Sequence, residues 1–315
     1  MGTIEPFAED AQEYTMQQTQ AIVLAMFGTT VEAALKALLA IKDAVAKAFP
    51  ETPVRIAFTS NQIRRIWARR AADPAYQAAH SDIPAEILQV QGPLAAIANL
   101  QDEGYDTLVV QPTHIVPAEE FHDLRSYVNG LNSIRTMKPR WQPFKTIALG
   151  RPLLGAYSLK HTYSDDILAA ARALADDATL ARRHDAALVY MGHGNHYFPA
   201  GGLYLEFAAR MRQIYPDVRT LIGTVEGFPS LDEIREDLHL HNLRRVVLKP
   251  FLVVAGDHAR NDLAGPEEDS WKSILIRDGI EVLPVLTGLG EQPAIARIFV
   301  NHIADAAADA GMDLR

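Results

Sequence analysis

Short apolar runs that end at glycine and give way to longer helical patterns recur along this chain. That alternation allows little besides parallel sheets in α/β layers. Residues 21–27, Ala-Ile-Val-Leu-Ala-Met-Phe, contain no polar member, as a strand buried on both faces requires. Gly28-Thr29-Thr30 follows, and then an amphipathic pattern over 31–49 that Pro50 stops. Further strands are predicted near 54–59, 86–90, 107–111 and 145–149, with helices from Asn61 and over 93–103. After Gly150-Arg151-Pro152 the pattern starts again. Helices are expected over 164–176, 201–214, 230–240 and 291–310, and strands over 186–191, 218–223, 245–254 and 280–285. The break divides the chain into an N-terminal lobe over 1–150 and a C-terminal lobe over 151–315, with the last helix able to pack back on the first lobe.

The two halves are faintly alike. Gly28-Thr29 after the first strand matches Gly192-His193 after its later counterpart, and Val54-Arg55 matches Val218-Arg219 at the same offset. Val-Val-Gln-Pro ending at Pro112 resembles Val-Leu-Lys-Pro ending at Pro250 at a shorter one. Matches in the same order, each at a strand or its end, predict two similar Rossmann-like lobes facing across a cleft. In such sheets ligands bind beyond the carboxyl ends of the strands. In the second lobe those ends carry His193, Glu226 and His258, each after a different strand and each close to glycine. Two imidazoles and a carboxylate suit a borderline divalent ion such as cobalt, nickel, iron or zinc. At the matched positions the first lobe has Thr29, Gln62 and Glu120. Only the second lobe carries the full ligand set, so Glu120 is expected to face the metal from across the gap.

Composition removes several other chemistries. The 315 residues include no cysteine, which excludes disulfides, iron–sulfur ligation, thiolate zinc sites and cysteine nucleophiles. Any metal must be held by His, Asp or Glu. With 30 Lys and Arg against 39 Asp and Glu, the net charge of −9 argues against non-specific nucleic-acid binding. No stretch reaches the roughly 18 unbroken apolar residues of a membrane span. The first twenty residues are acidic and polar, without a basic region followed by an apolar one, so a cytoplasmic location is expected. Oligomeric state is left open.

At this point the sequence resembles the class II chelatases, and within them the cobalt chelatases of anaerobic cobalamin synthesis. The resemblance runs from about residue 20 over nearly the whole chain. It rests on AMFGTT at 25–30, THIVPAEEFHDL at 113–124, MGHGN at 191–195, TVEGFP at 224–229 and KPFLVVAGDHARNDLAG at 249–265, the last being the most specific. The resemblance implies two α/β lobes and insertion of Co²⁺ as metal substrate into sirohydrochlorin, with no ATP or other nucleotide and with Fe²⁺ or Ni²⁺ as substitutes in vitro. It places the family's two metal-site histidines on His193 and His258 and its metal-site glutamate on Glu226. An active-site acid of the opposing lobe falls on Glu120, with Glu119 adjacent. The chemistry asks for such groups. Metallation strips water from the ion, bends the macrocycle and removes two pyrrole protons, so a weak, incomplete ligand set with bases on both sides is what a transfer site needs.

Plainer roles exist for each residue. Glu226 could cap the helix after Pro229, and Glu120 could be the acidic first turn of a helix. His114 and His122 with Glu119 and Glu120 form a rival metal cluster on the first lobe. His196 is either a partner that supports a ligand residue from behind or a loop residue in contact with the substrate. Arg64, Arg65, Arg69 and Arg70 recur at helical spacing, either to meet substrate carboxylates or as a solvated face. Tyr197, Phe198, Tyr204 and Phe207 could wall a flat ring, with core packing the better role for Phe207. Other functions share these residues: an iron chelatase making sirohaem or haem, a two-lobed binding protein that closes on a small ligand without chemistry, and a metal carrier.

Overall fold

The computed structural model describes residues 20–198, 200–257 and 259–315. Two parallel four-stranded sheets form the frame. In the first, β1 (Gln20–Met26), β2 (Val54–Phe58), β3 (Thr107–Pro112) and β4 (Thr146–Leu149) lie in the order β2-β1-β3-β4. In the second, β5 (Ala187–Gly194), β6 (Thr220–Glu226), β7 (Arg245–Pro250) and β8 (Glu281–Pro284) repeat that order as β6-β5-β7-β8. The architecture is α/β in two similar parallel-sheet lobes.

Helices cover both faces, as buried parallel strands demand. The first lobe carries α1 (Leu35–Ala48), α2 (Asn61–Ala71), α3 (Pro74–Ala79), α4 (Ala85–Leu88), α5 (Pro93–Asp102) and α6 (Glu119–Asn132). Then come α7 (Tyr163–Ala173), α8 (Ala175–Arg183), α9 (Gly201–Ile214), α10 (Leu231–Leu240), α11 (Trp271–Arg277) and α12 (Pro293–Asp309). Among the described residues no helix is long and apolar enough to cross a membrane.

Side chains alternate across each strand and so sort the core into layers. Ile22, Leu24 and Met26 of β1 point to an inner core that also takes Leu188 and Tyr190 of β5, the apolar face of α1, and Ile295, Phe299 and Ile303 of α12. Ala21, Val23 and Ala25 face the other way, against Ile97 and Leu100 of α5 and Leu124 and Val128 of α6. Val189 and Met191 likewise meet Leu238 of α10 and Leu275 of α11. One apolar core therefore runs through both lobes. Helix α12 lies against α1 and β3 of the first lobe, and the backbone N–H and carbonyl of Arg315 exchange hydrogen bonds with the hydroxyl of Thr52, at 3.2 and 2.8 Å.

Two sequence expectations are corrected here. The strand predicted at 86–90 is the helical turn α4, begun after Pro84, and only a single parallel bridge from Gln91 to Ala57 remains of it. The strand predicted over 245–254 stops at Pro250, which has no N–H to donate to a ladder, and residues 251–256 become loop.

The registers also revise the internal match. Ala25 pairs with Pro112 and Ala57, and Met191 pairs with Pro250 and Gly223, so Ala25 and Met191 are equivalent. Counting on from them sets Gly28 against Gly194 rather than Gly192. Both are left-handed, with φ +98° and +76°. The counterparts of His193 and Glu226 are then Phe27 and Ser60, not Thr29 and Gln62, whereas Glu120 still answers to His258.

Candidate active site

A cleft of about 430 Å³ opens where the carboxyl ends of β1 and β3 face those of β5 and β7. In each sheet the strand order reverses at that point, leaving a crevice between loops that run opposite ways. The first lobe contributes the Phe27–Thr30 loop, the start of α2 with Gln62, the segment after β3, and Glu120. The second contributes His193, Gly194 and Asn195, then Val254, Gly256 and Asp257. Thr30 closes one side of the gap by donating from Oγ1 to Oδ2 of Asp257 at 3.2 Å.

His193 ends β5 half-buried. Its Nδ1 lies 3.0 Å from the carbonyl oxygen of Gly194. A carbonyl only accepts, so Nδ1 carries the hydrogen, and a neutral ring so arranged has its lone pair on Nε2. Gly194 makes this tautomer-fixing contact available by taking a left-handed turn, and a Cβ there would sit on the carbonyl oxygen of Glu226. Buried Tyr204 supports the same turn from beneath the cleft floor: its hydroxyl accepts from the Gly194 N–H, and burial raises it well above the ordinary phenol range.

Glu120 and Glu119 differ plainly. Glu119 is exposed and outside the cleft, whereas Glu120 is half-buried and part of its wall, one residue further round the first turn of α6. Glu226 ends β6 half-buried and in register with Gly194, but its side chain is not part of the cleft lining. His258 lies outside the described residues; Asp257 before it lines the cleft and Ala259 after it is buried. Among the described residues no three His, Asp or Glu side chains gather as a metal cluster.

The rival histidine cluster is not assembled. His114 lines the cleft, its Nε2 3.4 Å from the Thr59 hydroxyl, while His122 faces a separate cavity on the far side of α6. Burial pushes His114 down to about 4, so it is neutral near pH 7. The arginines of α2 do not meet the cleft either. Arg70 donates to the Thr30 carbonyl at 2.8 Å and lies over the rings of Trp67 and Tyr76, and Trp67 donates to the Thr29 carbonyl at 2.8 Å. These two side chains hold the β1–α1 loop in place. Arg64 packs on Gly92, and Arg65 and Arg69 are exposed. His196 and Tyr197 are exposed, Phe198 is half-buried, and Phe207 is core. Sequence reasoning missed Asp257 as a cleft residue; its place next to His258 after a strand was the available signal.

The family model described as cobalt chelatase (CbiK) matches residues 20–308. The chain belongs to that family. Among its relatives, the sirohydrochlorin cobaltochelatase CbiKC of Nitratidesulfovibrio vulgaris is 32% identical over 297 residues, covering 94% of this chain and 93% of that protein. The sirohydrochlorin cobaltochelatase of Salmonella typhimurium is 29% identical over 290 residues, covering 91% and 96%. In fold, this CbiK-family chain is similar to SirB from Bacillus subtilis with Fe³⁺, at TM-score 0.58 and 13% identity over 94% of this chain and 100% of that one. The cobalt complex of the SirB chelatase gives TM-score 0.57 at the same identity and coverage.

Proposed function

We propose that the protein inserts Co²⁺ into sirohydrochlorin, a step of cobalamin synthesis, in the cleft between its lobes and without consuming a nucleotide. The observation that carries this is the placement of His193 and Glu120, from different lobes, on the walls of one cleft at both switch points, in a chain whose family is cobalt chelatase.

His193 presents Nε2 as a ligand to the incoming ion; His258 is the second imidazole of the set, and Glu226, whose side chain stands outside the cleft lining, joins it by turning in from the end of β6. Three or fewer weak ligands hold a borderline ion without trapping it. As the ion passes to the four ring nitrogens, the macrocycle must release two protons. Nε2 of His193, freed of the metal, accepts one. The carboxylate of Glu120, on the opposite wall, accepts the other, and both protons return to water. Metal and two protons are exchanged with no change of oxidation state, so no redox partner is needed.

Absorbance of metal-free sirohydrochlorin with Co²⁺ follows the reaction directly, with Fe²⁺ and Ni²⁺ as comparison arms and no ATP present. The wild type is expected to exceed the uncatalysed rate with Co²⁺. His193→Ala is expected to lose about 100-fold or more of that rate while its circular dichroism and melting temperature stay unchanged. A wild-type rate no faster than buffer overturns the activity; full activity in His193→Ala overturns the assignment of the base.

A further inference from the structure

A second cavity, of about 310 Å³, lies on the far side of the first turn of α6 from the cleft. Its walls include His122 and Arg125 of α6, Tyr163 of α7, and Phe198. The cleft and this cavity share their partition. Ala118 and Glu120 face the former, Phe121 and His122 the latter. A helix is only about 10–12 Å across with its side chains, so the two spaces stand close together on either side of it. On the second lobe, Asn195 lines the cleft and accepts the backbone N–H of Phe198 at 2.8 Å, and the Phe198 ring lies 4.4 Å from that of His122.

The charges of this cavity are mostly spoken for. Arg151 is held by Asp166 and Asp305 at 2.7 and 2.8 Å, and Asp309 by Lys160 and His161 at 2.9 and 3.1 Å. Arg125 is different. It is exposed, and among the described residues no carboxylate pairs with it. Its Nη2 donates to Nδ1 of His122 at 2.7 Å, which leaves that ring neutral and the guanidinium charge uncompensated. The planar fork keeps further donors for a carboxylate.

Sirohydrochlorin carries acetate and propionate arms around its rim. We propose that this cavity is a carboxylate subsite in which Arg125 receives one such arm of the tetrapyrrole seated in the cleft. The inference rests on the reading of the cleft as the tetrapyrrole site. It makes Arg125 a binding residue, and through His122 and Phe198 it ties an occupied arm to the loop that follows His193.

Fluorescence titration of metal-free sirohydrochlorin and steady-state insertion kinetics test it together. Arg125→Ala should raise both the dissociation constant and the KM for sirohydrochlorin about tenfold, as loss of a charge-assisted bond does, with the KM for Co²⁺ unmoved. Arg125→Lys should restore part of the loss, and Arg140→Ala, an exposed arginine outside both cavities, should show none. Free citrate serves as the second probe, by calorimetry. Citrate binding that depends on Arg125, with sirohydrochlorin affinity unmoved, overturns the assignment to a substrate arm. Equal affinities in wild type and Arg125→Ala overturn the subsite while leaving the chelatase reading intact; an inactive wild type overturns that reading first.

Discussion

At the residue scale, the cleft separates side chains that sequence leaves equivalent. Glu119 and Glu120 both belong to the acidic first turn of α6, where the helix dipole favours a carboxylate. Which one turns into the cleft depends on where the helix starts, and the start is set by the extended backbone of Ala118, with no side-chain cap to mark it. That phase was not legible in the letters. Glu120→Gln should therefore lower kcat about 100-fold while Glu119→Gln stays within about twofold, measured with saturating sirohydrochlorin and Co²⁺. The reverse order would move the opposing acid to Glu119. His193 was legible because glycine stood on both sides of a histidine at a strand end. Its fixed tautomer was not, since that depends on a backbone carbonyl turned inward by a left-handed residue. Lys249 was missed altogether. Within an apolar strand it reads as an irregularity, yet it forms a buried ion pair with Asp177, whose other oxygen accepts from the Tyr190 hydroxyl at 2.7 Å. Its counterpart before Pro112 in the first lobe is neutral Gln111, which donates to the carbonyls of Pro112 and Arg151.

At the scale of elements, alternating strands and helices were readable because burial on both faces leaves an uninterrupted apolar run, as in β1. Where a few apolar residues stood close together for another reason the reading failed, as at α4, whose Ile87 is buried on a helical turn. The internal repeat was read two residues out for a similar reason. Glycine occurs at 192 and 194 alike, and only the backbone shows that the second carries the left-handed turn. Gly194→Ala tests how much that turn matters. The substitution forces a side chain into a left-handed conformation and onto the Glu226 carbonyl, so it should cost about 2 kcal/mol or more in denaturant unfolding. It should also lower insertion by displacing His193. Gly192→Ala, where φ is not left-handed, is the matched control, although its Cβ would press on Tyr204 at 3.1 Å. Unchanged stability in Gly194→Ala would mean that β5 and β6 can part beyond Thr224 without penalty.

At the scale of the molecule, the lobes are joined by polar as well as apolar contacts. Asp166 of α7 accepts from Arg151 in the inter-lobe segment at 2.7 Å and from His302 of α12 at 3.2 Å, while Nδ1 of His302 donates to the Arg151 carbonyl at 3.0 Å. Burial alone would raise the Asp166 carboxyl, but the bonds from His302 and Arg151 outweigh it and hold the group below its ordinary value. A depressed carboxyl stabilises the fold fully above its unfolded value, about 4 for aspartate. That contribution is lost as pH falls through the lower folded value. Asp166→Asn should cost about 2 kcal/mol at pH 7, since it removes the carboxylate that Arg151 and His302 share and leaves half-buried Arg151 with Asp305 alone, and the gap to wild type should narrow below about pH 4. Thermal unfolding of both proteins across that range decides it; a gap independent of pH would remove the ionic origin.

The placement of α12 has a consequence for how the chain is made. Thr52 and the residue that clasps it stand 263 positions apart, and the apolar face of α1, with Leu38, Ile41 and Val45, waits for α12 to cover it. While the ribosome is still spelling out the second lobe, the first already displays that greasy strip to water or to chaperones. A segment made before the second lobe is thus finished only after it.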